Sequence, residues 1–272
     1  MEKGVDFNWL LEQASDDKSR KALREIERVR SLVRSEGKFP AGRGLIDLRF
    51  RSFRVQLDES VAHGSIDILA EIMKERAHRD FSRFDGKDAD VVVDGGASEG
   101  FYTIAIKIAN PACKMVAVEP NPMAFELLKR NMVLNKFNDV ELVHGALGRD
   151  DETRKFEYAN VASAVGSFHI RREKRPWLPE RCIETIEVNC YTLDNLYKRY
   201  QLESVDILKL DIEGAEAEAF SSGLEALSKT KRVVVECHSN ILRNNLLNLL
   251  TSMGFKLGHE ETREYGDIYF IR

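Results

Sequence analysis

Along the first third of the chain the apolar positions keep a helical rhythm. Ala22, Leu23, Ile26, Val29, Leu32 and Val33 recur at three- and four-residue spacing among many Arg, Lys and Glu, and Gly37 and Pro40 follow. The pattern predicts one amphipathic helix from Leu11 to Val33, with three candidate roles: a lid, a dimer element, or plain packing on the domain. Residues 42–58 alternate loosely through Leu45, Leu48, Phe50, Phe53, Val55 and Leu57, which predicts a short hairpin before a helix at about 65–79.

After Asp90 the rhythm changes to short β-branched runs separated by helical stretches, the pattern of βαβ units and a parallel sheet. The runs are Val91–Val93, Met115–Val118, Val140–Val143, Val205–Leu210 and Val233–Cys237, and each ends in polar or glycine-containing sequence. Phe255–Leu257 and Ile268–Ile271 predict two closing strands joined by a turn near Tyr265-Gly266. The result is an α/β fold with a mostly parallel, seven-stranded, Rossmann-like sheet carrying helices on both faces. The N-terminal helical and hairpin extension covers residues 1–85, and the sheet domain covers 86–272 with an irregular insertion at about 150–190. In such sheets ligands sit beyond the carboxyl ends of the strands, so chemistry is sought there.

Composition narrows the partners. With 41 Lys and Arg against 45 Asp and Glu the net charge is -4, and the pI is about 6.0. A chain of that balance has no general attraction to nucleic acid or anionic membrane. The four cysteines (Cys113, Cys182, Cys190, Cys237) form no C-x-x-C pair and lie in no zinc-type His/Cys spacing, which predicts free thiols in a reducing compartment. Residues 1–6 carry charge without an apolar core, and no stretch approaches the roughly 18 apolar residues of a membrane span. The expected setting is cytoplasmic. The segment Arg171-Arg172-Glu173-Lys174-Arg175-Pro176-Trp177 offers cations beside an indole, suited to a phosphate, a sugar or RNA, or to a solvated loop.

The first strand of the sheet delivers Asp94-Gly95-Gly96-Ala97-Ser98-Glu99-Gly100 and then the apolar helix from Phe101. Glycines allow a tight turn and close approach of a ligand, while helix-terminal N–H groups face it. Glycines at 95, 96 and 100 do not fit the G-x-G-x-x-G spacing of dinucleotide sites; the D-x-G-x-x-x-G form favours a ligand without pyrophosphate, such as S-adenosylmethionine. The second strand ends at Glu119, 25 residues after Asp94 and followed by Pro120-Asn121-Pro122. A carboxylate at that strand end accepts hydrogen bonds from ribose hydroxyls. The third strand runs into Gly145-Ala146, which should bring backbone and apolar surface to the adenine.

Four motifs together resemble the FkbM-type methyltransferases: Val93 to Gly100, Val118 to Pro122, Tyr191-Thr192-Leu193-Asp194, and Leu208-Lys209-Leu210-Asp211-Ile212-Glu213-Gly214-Ala215-Glu216. Glu236-Cys237-His238 is similar to the Glu-x-His of that family, and the likeness runs from about Val91 to His238. It implies a class I methyltransferase fold and S-adenosylmethionine-dependent O-methylation of a hydroxyl on a sugar, glycolipid, polyketide or small metabolite. It also implies a cofactor site made of Asp94, Gly95, Gly96, Ala97, Ser98, Gly100, Phe101, Glu119, Asn121, Ala146 and Asp211. Position 98 departs from the family, which usually has Asn there.

Asp211 with Glu213, and Glu236 with His238, are i, i+2 pairs at the ends of the fourth and fifth strands; on extended chain each pair shares a face. If the strands adjoin, these four candidate catalytic groups converge. Methyl transfer from a sulfonium asks the protein for alignment and for removal of a proton, and His238, with an ordinary pKa of about 6.5, is the expected general base. No resident metal is expected; the competing route is a divalent ion held by Asp211, Glu213 and Glu236. The alternative activity is RNA (tRNA) methylation, since residues 119–135 also resemble the second βα unit of some tRNA enzymes, and a third reading is a non-catalytic cofactor-binding domain. The expected partner is a small-molecule or glycan acceptor rather than nucleic acid, with a homodimer as a further candidate.

Overall fold

The computed structural model describes residues 7–40, 42, 44–78, 86–170, 175–237, 239–260 and 266–272. The N-terminal part runs α1 (Phe7–Gln13), α2 (Asp17–Glu36), β1 (Leu45–Arg49), β2 (Arg54–Asp58) and α3 (Ala62–His78). The expected single helix is therefore two. Ala14 leaves the helical path to bridge Phe50, and Asp16 starts α2 as an N-cap whose side chain accepts the Ser19 N–H at 2.7 Å. Gly37, at φ 64°, closes α2 in the left-handed conformation that glycine takes without strain. The face carrying Leu23 and Ile26 is buried, each side chain contributing roughly 1.5–3 kcal/mol, and Arg30 on the same face pairs with Asp67 of α3 at 2.8 Å.

The central sheet is assembled from β3 (Val91–Gly95), α4 (Phe101–Ala109), β4 (Lys114–Glu119), α5 (Pro122–Leu134) and β5 (Val140–His144). After the insertion, α6 (Leu193–Arg199), β10 (Val205–Leu210), α7 (Glu216–Ser221), α8 (Leu224–Ser228), β11 (Thr230–Cys237), α9 (Asn240–Ser252), β12 (Lys256–Glu260) and β13 (Gly266–Ile271) complete it. Its strand order is β12-β13-β11-β10-β3-β4-β5. The five predicted strands pair in parallel, and β13 runs antiparallel to both β11 and β12. This is the Rossmann-like class I methyltransferase fold. Of the predicted turn at Tyr265-Gly266, Tyr265 lies outside the described residues.

Two apolar layers hold the sheet. One packs Leu193, Leu196, Tyr197, Phe220, Leu227, Leu246 and Leu250 of the following helices against Val93, Leu208, Leu210 and Val233. The other joins Leu23, Leu48, Leu57, Ile66 and Leu69 of the N-terminal part to Phe101, Ile104, Ala117 and Leu128. The extension thus shares a core with the cofactor-loop side of the sheet. Among the described residues no helix is long and apolar enough to cross a membrane, and all four cysteines are buried and unpaired.

The stretch expected to be irregular is ordered. Between β5 and α6 lie β6 (Ala146–Leu147), β7 (Thr153–Ala159), β8 (Ala162–Ser167) and β9 (Ile183–Tyr191), joined as a second sheet in the order β6-β9-β7-β8. The sheet buries one face, built from Ala146, Phe156, Tyr158, Val188 and Cys190, while Thr185, Glu187 and Asn189 of β9 face outward. Half-apolar strands of this kind carry a weaker signal than buried parallel runs. Arg171 to Lys174 of the basic segment lie outside the described residues, and Trp177 is half exposed beside Phe39.

Candidate active site

Strand register decides what meets at the carboxyl edge. Asp94 pairs with Lys209 across β3 and β10, Leu210 with Val235 across β10 and β11, and Glu236 with Asp267 across β11 and β13. Beyond these ends opens a cavity of about 400 Å³, within the roughly 300–1,000 Å³ usual for small-molecule sites. Gly96, Ala97, Ser98, Phe101, Glu119, Ala146, Asp211, Glu213 and Glu236 line it together with Ile68, Glu71 and Ile72 of α3 and Ser163 to Phe168 of the insertion. Asp94, Gly95, Gly100 and Asn121 support the loop from outside that lining. His238, the expected base, lies outside the described residues.

The glycine loop is shaped for close approach. Gly96 has φ 74°, and a Cβ there would stand 1.7 Å from the Asp211 carbonyl oxygen, so only glycine fits. Ser98 has φ 49°, a conformation that costs most L-residues about 1–2 kcal/mol and that asparagine takes more readily. The Asn expected here from the family resemblance would meet this backbone at lower cost. Ser98→Asn is expected to raise the thermal midpoint and Ser98→Val to lower it by more, with about 1 kcal/mol between Ser and Val; equal midpoints for all three proteins would remove the backbone explanation.

Beneath the loop sits an ionic knot. Asp94 is fully buried and accepts the Thr103 hydroxyl at 2.7 Å. Lys209 reaches it at 3.3 Å, donates to the Gly96 carbonyl at 2.8 Å, and lies 3.8 Å from Asp211. Burial alone would lower the Lys209 pKa, but Asp94 and Asp211 outweigh it and push it up, so the ammonium stays charged. Sequence reading quoted Lys209 within a motif without giving it work. The available signal was a cation near the end of a largely buried strand, which demands an anionic partner.

Glu119 closes the end of β4. Its Oε2 accepts the Ser98 N–H and its Oε1 the Asn121 N–H, each at 2.7 Å, tying the second strand end to the glycine loop. Burial pushes its carboxyl up to about 7, against the lowering effect of the Asn121 and Ser98 amides. Each oxygen retains acceptor capacity toward the cavity.

The opposite wall is acidic. Glu236 is raised far above the usual carboxylate range, chiefly by Asp211 and then by burial, with Asp267 adding to it. Glu213 is different. The extended chain ends at Leu210 and Glu213 has φ 55°, so the i, i+2 argument for a shared face with Asp211 fails, and its carboxylate is bound by Arg175 at 2.6 Å. Glu216 turns back to accept the Ile212 and Gly214 amides at 3.1 and 3.2 Å. Among the described residues no three His, Cys, Asp or Glu side chains are grouped as metal ligands, and Asp211, Glu213 and Glu236 form no such set. Asp267 escaped sequence reading because only the reversed β13 brings it beside Glu236.

Comparison with known proteins agrees with this geometry. The family model "Methyltransferase FkbM domain" matches residues 94–257, more than half of the chain. The chain belongs to the FkbM methyltransferase family. Among its relatives is methyltransferase sdnD of Sordaria araneosa, 27% identical over 61% of this chain and 73% of that protein. Hexuronic acid methyltransferase AglP of Haloferax volcanii is 24% identical over 76% of this chain and 81% of its own. A shorter match, 32% identical over 39% of this chain and 43% of the other, is to ribosomal RNA small subunit methyltransferase G of Clostridium kluyveri.

Membership makes this FkbM chain an S-adenosylmethionine-dependent methyltransferase, and the site fits that cofactor. Gly96 and Ala97 line the cavity, Glu119 stands at the second strand end, and the buried Tyr102 hydroxyl beside the cavity has no hydrogen-bond partner among the described residues.

Proposed function

We propose that the protein transfers a methyl group to a hydroxyl oxygen of a sugar, glycolipid or small metabolite. The observation that carries this reading is the meeting of two carboxyl side chains, Asp211 and Glu236, on the wall of the cofactor cavity at the ends of adjacent strands. A hydroxyl acceptor must lose its proton as its oxygen gains the methyl, and a carboxylate on the cavity wall is suited to receive it. S-adenosylmethionine, bound by the Asp94–Gly100 loop and Glu119, supplies the electrophilic methyl. Lys209 holds the loop in place, α3 and the insertion wall the cavity, and His238 is the further candidate base. That the relative AglP is named for hexuronic acid, whose heteroatoms are all oxygen, supports O-transfer.

An RNA acceptor is the weaker reading, although one relative is named for ribosomal RNA. The chain carries a net charge of -4, which gives a phosphate backbone no general attraction. Incubation with methyl-labelled cofactor and separate glycolipid, small-metabolite and tRNA fractions tests the choice. Label is expected in one of the first two, in an alkali-stable ether; label in tRNA alone would replace the proposal.

A further inference from the structure

Glu99 has no part in the chemistry described so far, yet it is fully buried within the cofactor loop. Its Oε1 accepts the hydroxyls of Ser65, from α3, and Ser163, from β8, and the two hydroxyls lie 3.3 Å apart. Both serines are themselves buried. Its backbone carbonyl accepts Asn131 Nδ2 at 2.9 Å, and Asn131 also accepts the Gln56 N–H of β2 at 2.7 Å. From Ser163 the connection continues: its carbonyl accepts Asn121 Nδ2 at 2.9 Å, and the Asn121 N–H donates to Glu119. One side chain thus joins the N-terminal extension, the glycine loop, the insertion and, through Asn121, the carboxylate placed for the ribose.

We propose that Glu99 is a positioning residue that braces the α3 and β8 walls of the cavity to the cofactor loop, so that the placement of those walls and the affinity for cofactor are set together. The inference rests on the cofactor reading of this cavity. A carboxyl group in an apolar layer is unfavourable, the more so here because Oε2 has no partner among the described residues, and a packing role alone would be filled better by an aliphatic side chain. What the carboxyl adds is direction. Ser65 and Ser163 meet at a single acceptor atom, so the hairpin and the helix are held in one register over the loop, on either side of Ser98, whose amide serves Glu119, and of the Gly100 turn into α4.

Titration of the full-length chain with S-adenosylhomocysteine, alongside thermal melting, tests this. Glu99→Ala and Ser163→Ala are each expected to weaken binding about tenfold, the equivalent of one lost bracing hydrogen bond. Glu99→Gln, which keeps the acceptor oxygen, should bind within about twofold of the wild type. A lower melting point with unchanged affinity in Glu99→Ala or, should that variant not fold, in Ser163→Ala would reduce the residue to packing and overturn the proposal. So would a glutamine variant as weak as the alanine one. If the wild type itself fails to bind S-adenosylhomocysteine, the cofactor reading falls separately. The brace is then read by hydrogen exchange, where Ser163→Ala should release the amides of α3 and β8 together while the central sheet stays protected; independent protection of the two walls refutes it.

Discussion

Lys209→Met should be among the most damaging single changes in this protein, lowering stability by about 3–5 kcal/mol. The side chain is buried between two carboxylates, and its removal leaves Asp94, with no exposure of its own, as an uncompensated charge inside the sheet. The methionine would also surrender the bond to the Gly96 carbonyl, which fixes a loop position where a Cβ would strike backbone. Urea unfolding measures the loss. The ionic explanation makes a sharper demand: Lys209→Met combined with Asp94→Asn should be less destabilised than the sum of the single changes, because the amide removes the stranded charge. Simple additivity would show that Lys209 matters for its volume and not for its charge.

Glu119→Ala is expected to weaken S-adenosylmethionine binding by about a hundredfold, the equivalent of roughly 3 kcal/mol for two hydrogen bonds to a charged acceptor. The fold should survive, since the alanine leaves the Ser98 and Asn121 amides facing a cavity that water can enter. Acidity gives a second readout. The carboxyl sits near pH 7 because of its burial, so lowering the pH through 7 protonates the group that accepts from the ribose, and affinity should fall by up to about tenfold per pH unit. The same raised pKa acts with the opposite sign on the ligand-free fold: its folded value lies above the unfolded one, so its contribution to stability is greatest in acid and is lost as pH rises toward 7. Calorimetric titration from pH 8 to pH 5.5 on the wild type and Glu119→Gln separates the two. A pH slope that persists in the glutamine variant would move the titration to another residue.

The parts of this molecule legible in the sequence are those written in consecutive residues. Val91 to Val93 and Val205 to Leu210 announce strands because both their faces are covered, so apolar residues dominate them, with Asp206 and Lys209 the exceptions. Asp94 to Gly100 and Glu119 announce a nucleoside site because turn, strand end and ligand contact fall within one βα unit each. Contacts made across the chain left no such trace. Glu99 meets partners 34 and 64 residues away, and the pairing of Glu236 with Asp267 depends on β13 entering the sheet reversed. The insertion was misread for a related reason: β7 and β9 satisfy their backbones through each other, and their outer faces are as polar as a loop. Local geometry also overruled a local rule at Glu213, where a left-handed turn hands the carboxylate to Arg175.

The bond from Ser65 and Ser163 to a common carboxyl oxygen has a bearing on redesign. Whoever seeks to give this scaffold the acceptor preference of another family member would naturally transplant either the leading segment or the inserted hairpin, since both form walls of the cavity while neither contributes a strand to the central sheet. With a shared brace, the two are halves of one cassette. A chimera that exchanges one half inherits a mismatched joint at Glu99, whereas exchange of both with the residue between them preserves it.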